Sequence, residues 1–499
     1  MTLFSPLNYA ILFVYLGSML GIGCLFARRQ KTTEEYFLAG RRMNWLVVGM
    51  SMFATLTSAV TYMGLPGMAY KENVSLIVVA IVSPLLAPVL VSLFYPFYRR
   101  LNVTTSYEYI DKRFGRQARF AVSGLFILAR LGWLGTVIYA PALAMSVVTG
   151  LSLSTAILIM GAVATIYTVM GGITADIWTD VVQFLIMLVG AVWLVYALVT
   201  GVPGGFHSIW ETAKLTGHLD VFHWNLSLTE MSASIVAITF FFQLMQDYGT
   251  DQTTVQRLMT IKDFRGMVKA TFFNACSDFF FISTLLFIGL GLFAYQAVFP
   301  DRLPAGITGD RVLPYFIIHA LPDGVSGLLI TAIFAAAMSS MDSGISSLST
   351  VVIHDFVRPL RRRPRTEAED LRLARTLTFA FGAFATAIAF YVSTFKHIIE
   401  AYSSIISLFN GPILSIFLLG ILTRRTRLEA WIIGSIVAVV VTYAVQVSNQ
   451  VHWIYFFPIS LLTTCAVAYP LSYAFPAKPC PPELTWTGSR RARREESSA

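Results

Sequence analysis

Charge and cysteine are scarce in this chain. Only 13% of its 499 residues are Asp, Glu, Lys or Arg, against 56% hydrophobic. Soluble domains carry about 25% charged residues, so a water-facing surface over the whole length is excluded. The four cysteines, Cys24, Cys276, Cys465 and Cys480, stand singly with no CxxC pair. That spacing builds neither a disulfide framework nor a zinc site. The histidines lie mostly in loops or near the ends of apolar runs, and no role is assigned to them. The N-terminus lacks a basic n-region and a small-residue cleavage site, so residues 9–27 read as a retained helix rather than a signal peptide.

What the chain does have is apolar runs of ~20 residues, repeated along nearly its whole length. With a mean hydropathy of +0.68, this is an all-α polytopic membrane protein. About thirteen transmembrane helices are expected: 7–27, 43–68, 75–96, 117–148, 153–170, 176–200, 231–250, 269–297, 312–352, 374–393, 398–421, 428–447 and 452–475. They leave no room for a large soluble domain, so 1–476 is expected to be a single transmembrane domain. The polar tail 477–499 is expected to be disordered and cytoplasmic.

The basic residues orient the chain. One set of alternate loops (28–42, 97–119, 248–269, 353–375, 424–427 and 478–494) holds 30 of the 36 Lys and Arg. The opposite loops hold only Lys71, Lys214, Arg302, Arg311 and Lys396, and Arg130 lies inside a span. The positive-inside rule places the first set in the cytoplasm, with the N-terminus outside and the C-terminus inside, in the plasma (inner) membrane. The net charge of +9 is therefore a topology signal with anionic lipid as its partner, not a sign of nucleic acid.

The second span contains GLPG at Gly64–Gly67 after a hydroxyl-rich stretch, 54–61. The seventh breaks its apolar run with Gln243, Gln246 and Asp247. Interrupted helices at corresponding places in two halves point to a transporter binding site. Spans 2–6 (43–200) and 7–11 (231–421) then form a five-plus-five inverted repeat with broken first and sixth core helices. A leading helix at 7–27 precedes it, and extra helices at 428–475 follow.

The ninth span carries AAAMSSMDSGISSLST at 335–350. Hydrocarbon satisfies no hydroxyl or carboxylate, so these groups face protein, a cavity or an ion. Ala336, Ser339, Ser340 and Ser343 share one helical face, and an oxygen-lined face suits a small hard cation. Asp180, one turn into the sixth span, is either a helix-start residue at the interface or a buried carboxylate that needs a partner. If Asp180 and Asp342 meet, a cation neutralises them or one is protonated. Asp247 and Asp278 are further intramembrane acids, each either a structural hydrogen-bonding group or a ligand contact. Arg130 lies ~20 Å into the fourth span and either binds an anionic substrate or pairs with an aspartate. Trp133 and Tyr139 share its helix and either line a cavity or pack.

Several stretches resemble the sodium:solute symporter family, which includes sodium–glucose, sodium–proline, sialic acid, iodide, multivitamin and monocarboxylate transporters. They are YFLAGRRMNWLVVGMSMFAT (36–55), FYPFYRRLNVTTSYEYIDKRFG (94–115), GGITADIWTDVVQ (171–183), TDQTTVQR (250–257) and FAAAMSSMDS (334–343). The resemblance spans 7–475 and implies the five-plus-five fold. It also implies a general sodium site at Ala54, Thr57, Ala336, Ser339 and Ser340, with Ala54 and Thr57 acting through backbone carbonyls. A second sodium site, present in some members, maps to Asp180, Ser339, Asp342 and Ser343. The family expects serine where Asp342 stands.

VIYAPALA (137–144), VTG (148–150) and SAVTYMG (58–64) resemble the monocarboxylate, multivitamin and iodide branch. Where the sialic acid branch has a carboxylate-binding arginine and a glutamine, this chain has Trp133 and Ala80. The substrate region by resemblance comprises Thr61, Arg130, Trp133, Gln243, Gln246, Asp247 and Tyr248. The expected activity is sodium-coupled import of a small organic anion such as a monocarboxylate. Sugar, sialic acid and proton-coupled transport are the alternatives. Sodium is the coupling ion, and no enzymatic cofactor is expected. No convergent catalytic motif supports a membrane enzyme, and no kinase-like output domain supports a sensor.

Overall fold

The computed structural model describes residues 4–27, 33–170, 172–221, 228, 231–304, 306–307, 309–360, 366–395 and 398–488. Lys396, Gly171, parts of the basic loops (28–32 and 361–365) and the tail beyond 488 lie outside the described residues. The described residues are overwhelmingly helical. Ten helices are long and apolar enough to cross a membrane, and one bent pair adds an eleventh.

The leading helix is α1 (Pro6–Ala27). The first repeat opens with α2 (Trp45–Leu56) and α3 (Ala59–Lys71), bent by 60°. It continues with α4 (Ile77–Leu93), the short helix α5 (Tyr107–Phe114), α6 (Arg116–Thr149), α7 (Leu153–Met170) and α8 (Ile173–Gly201). The second repeat opens with α9 (Ala233–Gly249) and α10 (Gln252–Met259). It then runs through α11 (Phe264–Val298), α12 (Gly309–Ala320), α13 (Val325–Val351), α14 (Glu367–Val392) and α15 (Ile398–Leu422). Helices α16 (Leu428–Ser448) and α17 (Phe456–Leu471) follow. Of the thirteen expected spans, α7 and α9 correspond to two that fall outside the long apolar set.

The first break does not lie at Gly64–Gly67. Helix α3 runs through that segment, Pro66 included, and the chain leaves helical geometry at Thr57 (φ −83°, ψ 85°). The Ser58 hydroxyl then accepts the Val60 N–H and starts the new helix. A serine that offers the backbone a capping bond decides the break more strongly than an interior proline does. The second break is displaced in the same way. Helix α9 continues through Gln243, Gln246 and Asp247. Asp251 ends the interruption by accepting the Thr253 N–H at 2.8 Å.

The glycines of GLPG serve packing. A Cβ on Gly67 would lie 2.7 Å from the carbonyl carbon and oxygen of Gly309, where α3 crosses α12. Gly67→Ala is therefore expected to destabilise the protein by about 1–3 kcal/mol, the usual range for overpacking. Thermal unfolding in detergent checks this, and an unchanged midpoint would mean that the crossing opens freely.

Two further expectations are corrected. The single ninth span, 312–352, is two helices, α12 and α13, parted at Gly324 (φ +84°). The tail is structured at its start: Leu484 is buried and its carbonyl accepts the Tyr109 hydroxyl at 2.9 Å. Helix α1 is pinned to α13, because Asn8 Oδ1 accepts the N–H groups of Gly324 and Gly327 at 2.7 and 3.0 Å. In its most apolar stretch α13 is 94% buried, which makes it the central helix of the bundle.

Candidate functional site

Three oxygens of the expected general sodium site come together where α13 passes the end of α2. The Ser339 hydroxyl donates to the Ala54 carbonyl at 2.8 Å and lies 3.1 Å from the Ala336 carbonyl. Ser340 donates to the neighbouring carbonyl of Thr55 at 2.8 Å. Both serines are fully buried. Carbonyls freed by a helix break, faced by hydroxyls whose lone pairs can turn outward, form an oxygen cradle for a monovalent cation. Thr57, the fifth expected member, sits at the break and lines the central cavity.

Asp180 and Ser343 are also brought together, but around an arginine. Arg257, on α10, donates to Asp180 Oδ2 at 3.0 Å and to the Ser51 hydroxyl at 2.8 Å, and it also contacts the Ser343 hydroxyl. Asp180 Oδ2 accepts further bonds from Ser51 (2.6 Å) and Thr55 (3.3 Å). Thr55 and Ser343 lie 3.0 Å apart. Asp342 turns elsewhere, accepting the Thr168 hydroxyl of α7 at 2.8 Å. A guanidinium thus stands between the carboxylate and the serine where a second sodium was expected. TDQTTVQR contains Arg257, but nothing in that stretch reveals the distant carboxylate it meets.

A cavity of about 160 Å³ lies beside the first break. Six of the seven expected substrate residues line it: Thr61, Arg130, Trp133, Gln243, Asp247 and Tyr248. Gln246 does not; its side-chain oxygen accepts Asn410 at 2.8 Å, and Asn410 is itself in the wall. Arg130 pairs with Asp251, the capping residue of α10, and stacks 4.3 Å from the Trp133 ring centroid. Asp278 accepts Tyr248 (2.6 Å), Ser83 (2.8 Å) and Asn274 (3.2 Å). Tyr402, unassigned from sequence, accepts Gln243 at 3.0 Å.

The two sides of this cavity differ. A larger space of about 840 Å³, with Lys71 and Glu72 at its rim, shares Ile399 and Trp453 with the cavity wall. On the opposite side Arg119 grips Asp355 at 2.6 and 2.9 Å, and Asp355 also accepts Ser123 (2.5 Å) and Thr105 (2.9 Å). This cluster ties the α5–α6 region to the end of α13.

The sodium:solute symporter family model matches residues 36–438. The sodium/sialic acid symporter NanT of Aliivibrio fischeri is 32% identical over 475 residues, 93% of either chain. The sodium-coupled monocarboxylate transporter 2 of Homo sapiens is 29% identical over 444 residues, 87% of this chain and 71% of its own. Among solved structures, a Na+-coupled sialic acid symporter in a substrate-bound outward-open state superimposes with a TM-score of 0.88. It is 30% identical and covers 95% of this chain and 99% of that one. A nucleobase-cation-symport-1 family transporter, 16% identical with a TM-score of 0.54, shares the fold. These relatives are transporters, not enzymes.

Proposed function

The chain belongs to the sodium:solute symporter family, and from that premise we propose that it imports a small organic solute together with sodium, by alternating access. The observation that carries this reading is the oxygen cradle of Ala54, Ala336 and Ser339 at the first helix break. Sodium held there, with Ser340 and Thr57 beside it, fastens the end of α2 to α13. That fixes Thr57, Ser58 and Thr61, which line the solute cavity. Sodium and solute therefore favour each other's binding by the same factor. Rocking of the bundle then turns the site from one side of the membrane to the other. A charge entering down the membrane potential contributes ~2.3 kcal/mol per 100 mV, enough to drive accumulation.

The basic loops support a cytoplasmic C-terminus, so the 840 Å³ space is the outer vestibule and the Arg119–Asp355 cluster is the inner closure. A second cation at Asp180, Asp342 and Ser343 would have to displace Arg257. One sodium per cycle, at the general site, is the reading we adopt.

Sodium should raise the melting temperature of the purified protein above its value in equal potassium, saturating with a Hill slope near one. A ligand at 100 times its Kd stabilises by ~2.7 kcal/mol. Ser339→Ala should weaken that response by ~tenfold or more through loss of a buried ligand oxygen. Equal melting in the two salts would refute the sodium coupling. A steep sodium curve that Asp342→Ser flattens would restore the second site.

A further inference from the structure

The charges facing the central cavity do not balance. Three carboxylates line it, Asp247, Asp251 and Asp278, against a single cation, Arg130. Their situations differ. Asp251 holds Arg130 with one oxygen and caps α10 with the other. Asp278 accepts three hydrogen bonds. Asp247 receives no hydrogen bond and no ion pair from any described residue, yet it faces the same cavity. A half-buried carboxylate with no protein partner is satisfied by a counter-charge or by a proton. Arg130 is already committed to Asp251, so a cation that keeps Asp247 ionised has to arrive with whatever enters.

The walls fit that occupant. Trp133, Phe240, Tyr402 and Trp453 surround the space, and aromatic faces attract cations. One of them already does so, with the Arg130 guanidinium 4.3 Å from the Trp133 ring centroid. A purely anionic solute would share the cavity with Asp247 and leave that carboxylate without a counter-charge.

We propose that Asp247 determines specificity, and that the solute carries a protonated nitrogen, an ammonium or guanidinium group, that docks on its carboxylate. This rests on the symporter reading and departs from the organic anion expected from sequence. The solute is small, because about 160 Å³ falls below the ~300–1,000 Å³ of pockets for drug-sized ligands. A zwitterion fits as well as a simple amine. Its carboxylate meets the positive end of α3, where Ser58 and Thr61 line the same cavity.

The test uses the full chain in saturating sodium and follows thermal stabilisation by matched solutes. The nitrogen-bearing probes are putrescine, 4-aminobutyrate and proline. Their nitrogen-free counterparts are 1,4-butanediol, 4-hydroxybutyrate and cyclopentanecarboxylate. At least one amine should bind ~tenfold or more tightly than its counterpart, the scale of a charge-assisted hydrogen bond. Asp247→Asn should reduce that amine's affinity by ~10–100-fold, and Asp247→Glu should restore most of it. The sodium-induced melting shift, measured without solute, reports that each variant is folded.

The proposal is overturned if no amine in the panel binds, if a counterpart binds as tightly as its amine, or if folded Asp247→Asn discriminates like the unmodified protein. It also falls if Asp247→Asn changes only the sodium or pH dependence, since Asp247 would then hold a coupling cation. Amine binding that is intact but indifferent to sodium would instead refute the sodium coupling and leave Asp247 as the docking group.

Discussion

Replacing Arg257 with methionine is expected to lower the stability of the folded protein by about 3–5 kcal/mol, the cost of stranding a buried charge. Asp180 is fully buried and Arg257 is 1% exposed, so neither has bulk water to fall back on. Ser51 and Thr55 would remain as donors to Asp180, but hydroxyls supply dipoles, not a counter-charge. The double variant Arg257→Met with Asp180→Asn removes both charges, and it should recover most of the lost stability.

Sodium supplies a second readout. With the guanidinium gone, Asp180, Ser343 and Thr55 offer a cation an oxygen-lined place, so sodium should stabilise Arg257→Met more steeply than the unmodified protein. The double variant should lose that extra response. Monodispersity and melting temperature in sodium and in potassium measure both effects. A single variant as stable as the parent in potassium would show that Asp180 is neutral or hydrated without Arg257.

The cluster proposed as the general sodium site was legible in the sequence because its signal is local. Ala336, Ser339 and Ser340 share a helical face, and hydroxyls on a buried membrane helix need a stated partner. The carbonyls that Ser339 and Ser340 meet, those of Ala54 and Thr55, lie at the start of the hydroxyl-rich stretch of the second span. Arg257 illustrates the opposite case. Its partners come from α2, α8 and α13, and no spacing rule within a single element brings Ser51, Asp180 and Ser343 to one guanidinium. The same holds for Asp251, which in the fold both caps α10 and takes up the charge of Arg130.

The helix breaks were expected in the right spans and at the wrong residues. Glycine and proline at 64–67 are the strongest punctuation in the sequence, yet the close crossing of Gly67 and Gly309 requires glycine for a packing reason. The break itself follows from Thr57 and Ser58, whose polar side chains would be unremarkable in a water-soluble helix. The split between α12 and α13 was missed because apolar residues continue on both sides of the turn at 321–324, so hydropathy sees one span.

Removing Asp355 should open the side of the molecule opposite the vestibule. Asp355 is fully buried and collects two bonds from Arg119, one from Ser123 and one from Thr105. It lies in a π-helical segment, Val352–Val357, that ends α13. Such widened turns re-aim side chains and occur at functional positions. The carboxylate therefore fastens α13, which carries Ala336 and Ser339 of the proposed sodium cradle, to the α5–α6 region. With Asp355→Ala, Arg119 keeps Asp111 at 3.2 Å and Glu108 at 3.7 Å, both on α5, so the tie to α13 is lost while the arginine stays paired.

Breaking a buried, hydrogen-bonded charge pair costs about 2 kcal/mol or more, which shifts a two-state balance by ~30-fold at 1.4 kcal/mol per tenfold. If sodium binds the state closed on this side, its apparent affinity should fall in proportion to the competent fraction lost, by at most that factor. Hydrogen–deuterium exchange should rise across 105–123 and 347–357, and the sodium melting curve should move to higher concentration. Asp355→Glu, which can keep the charge and one of the bonds, should fall between the two. Faster exchange with an unmoved sodium curve would mean that the cluster holds the chain together without governing which side of the membrane the site faces.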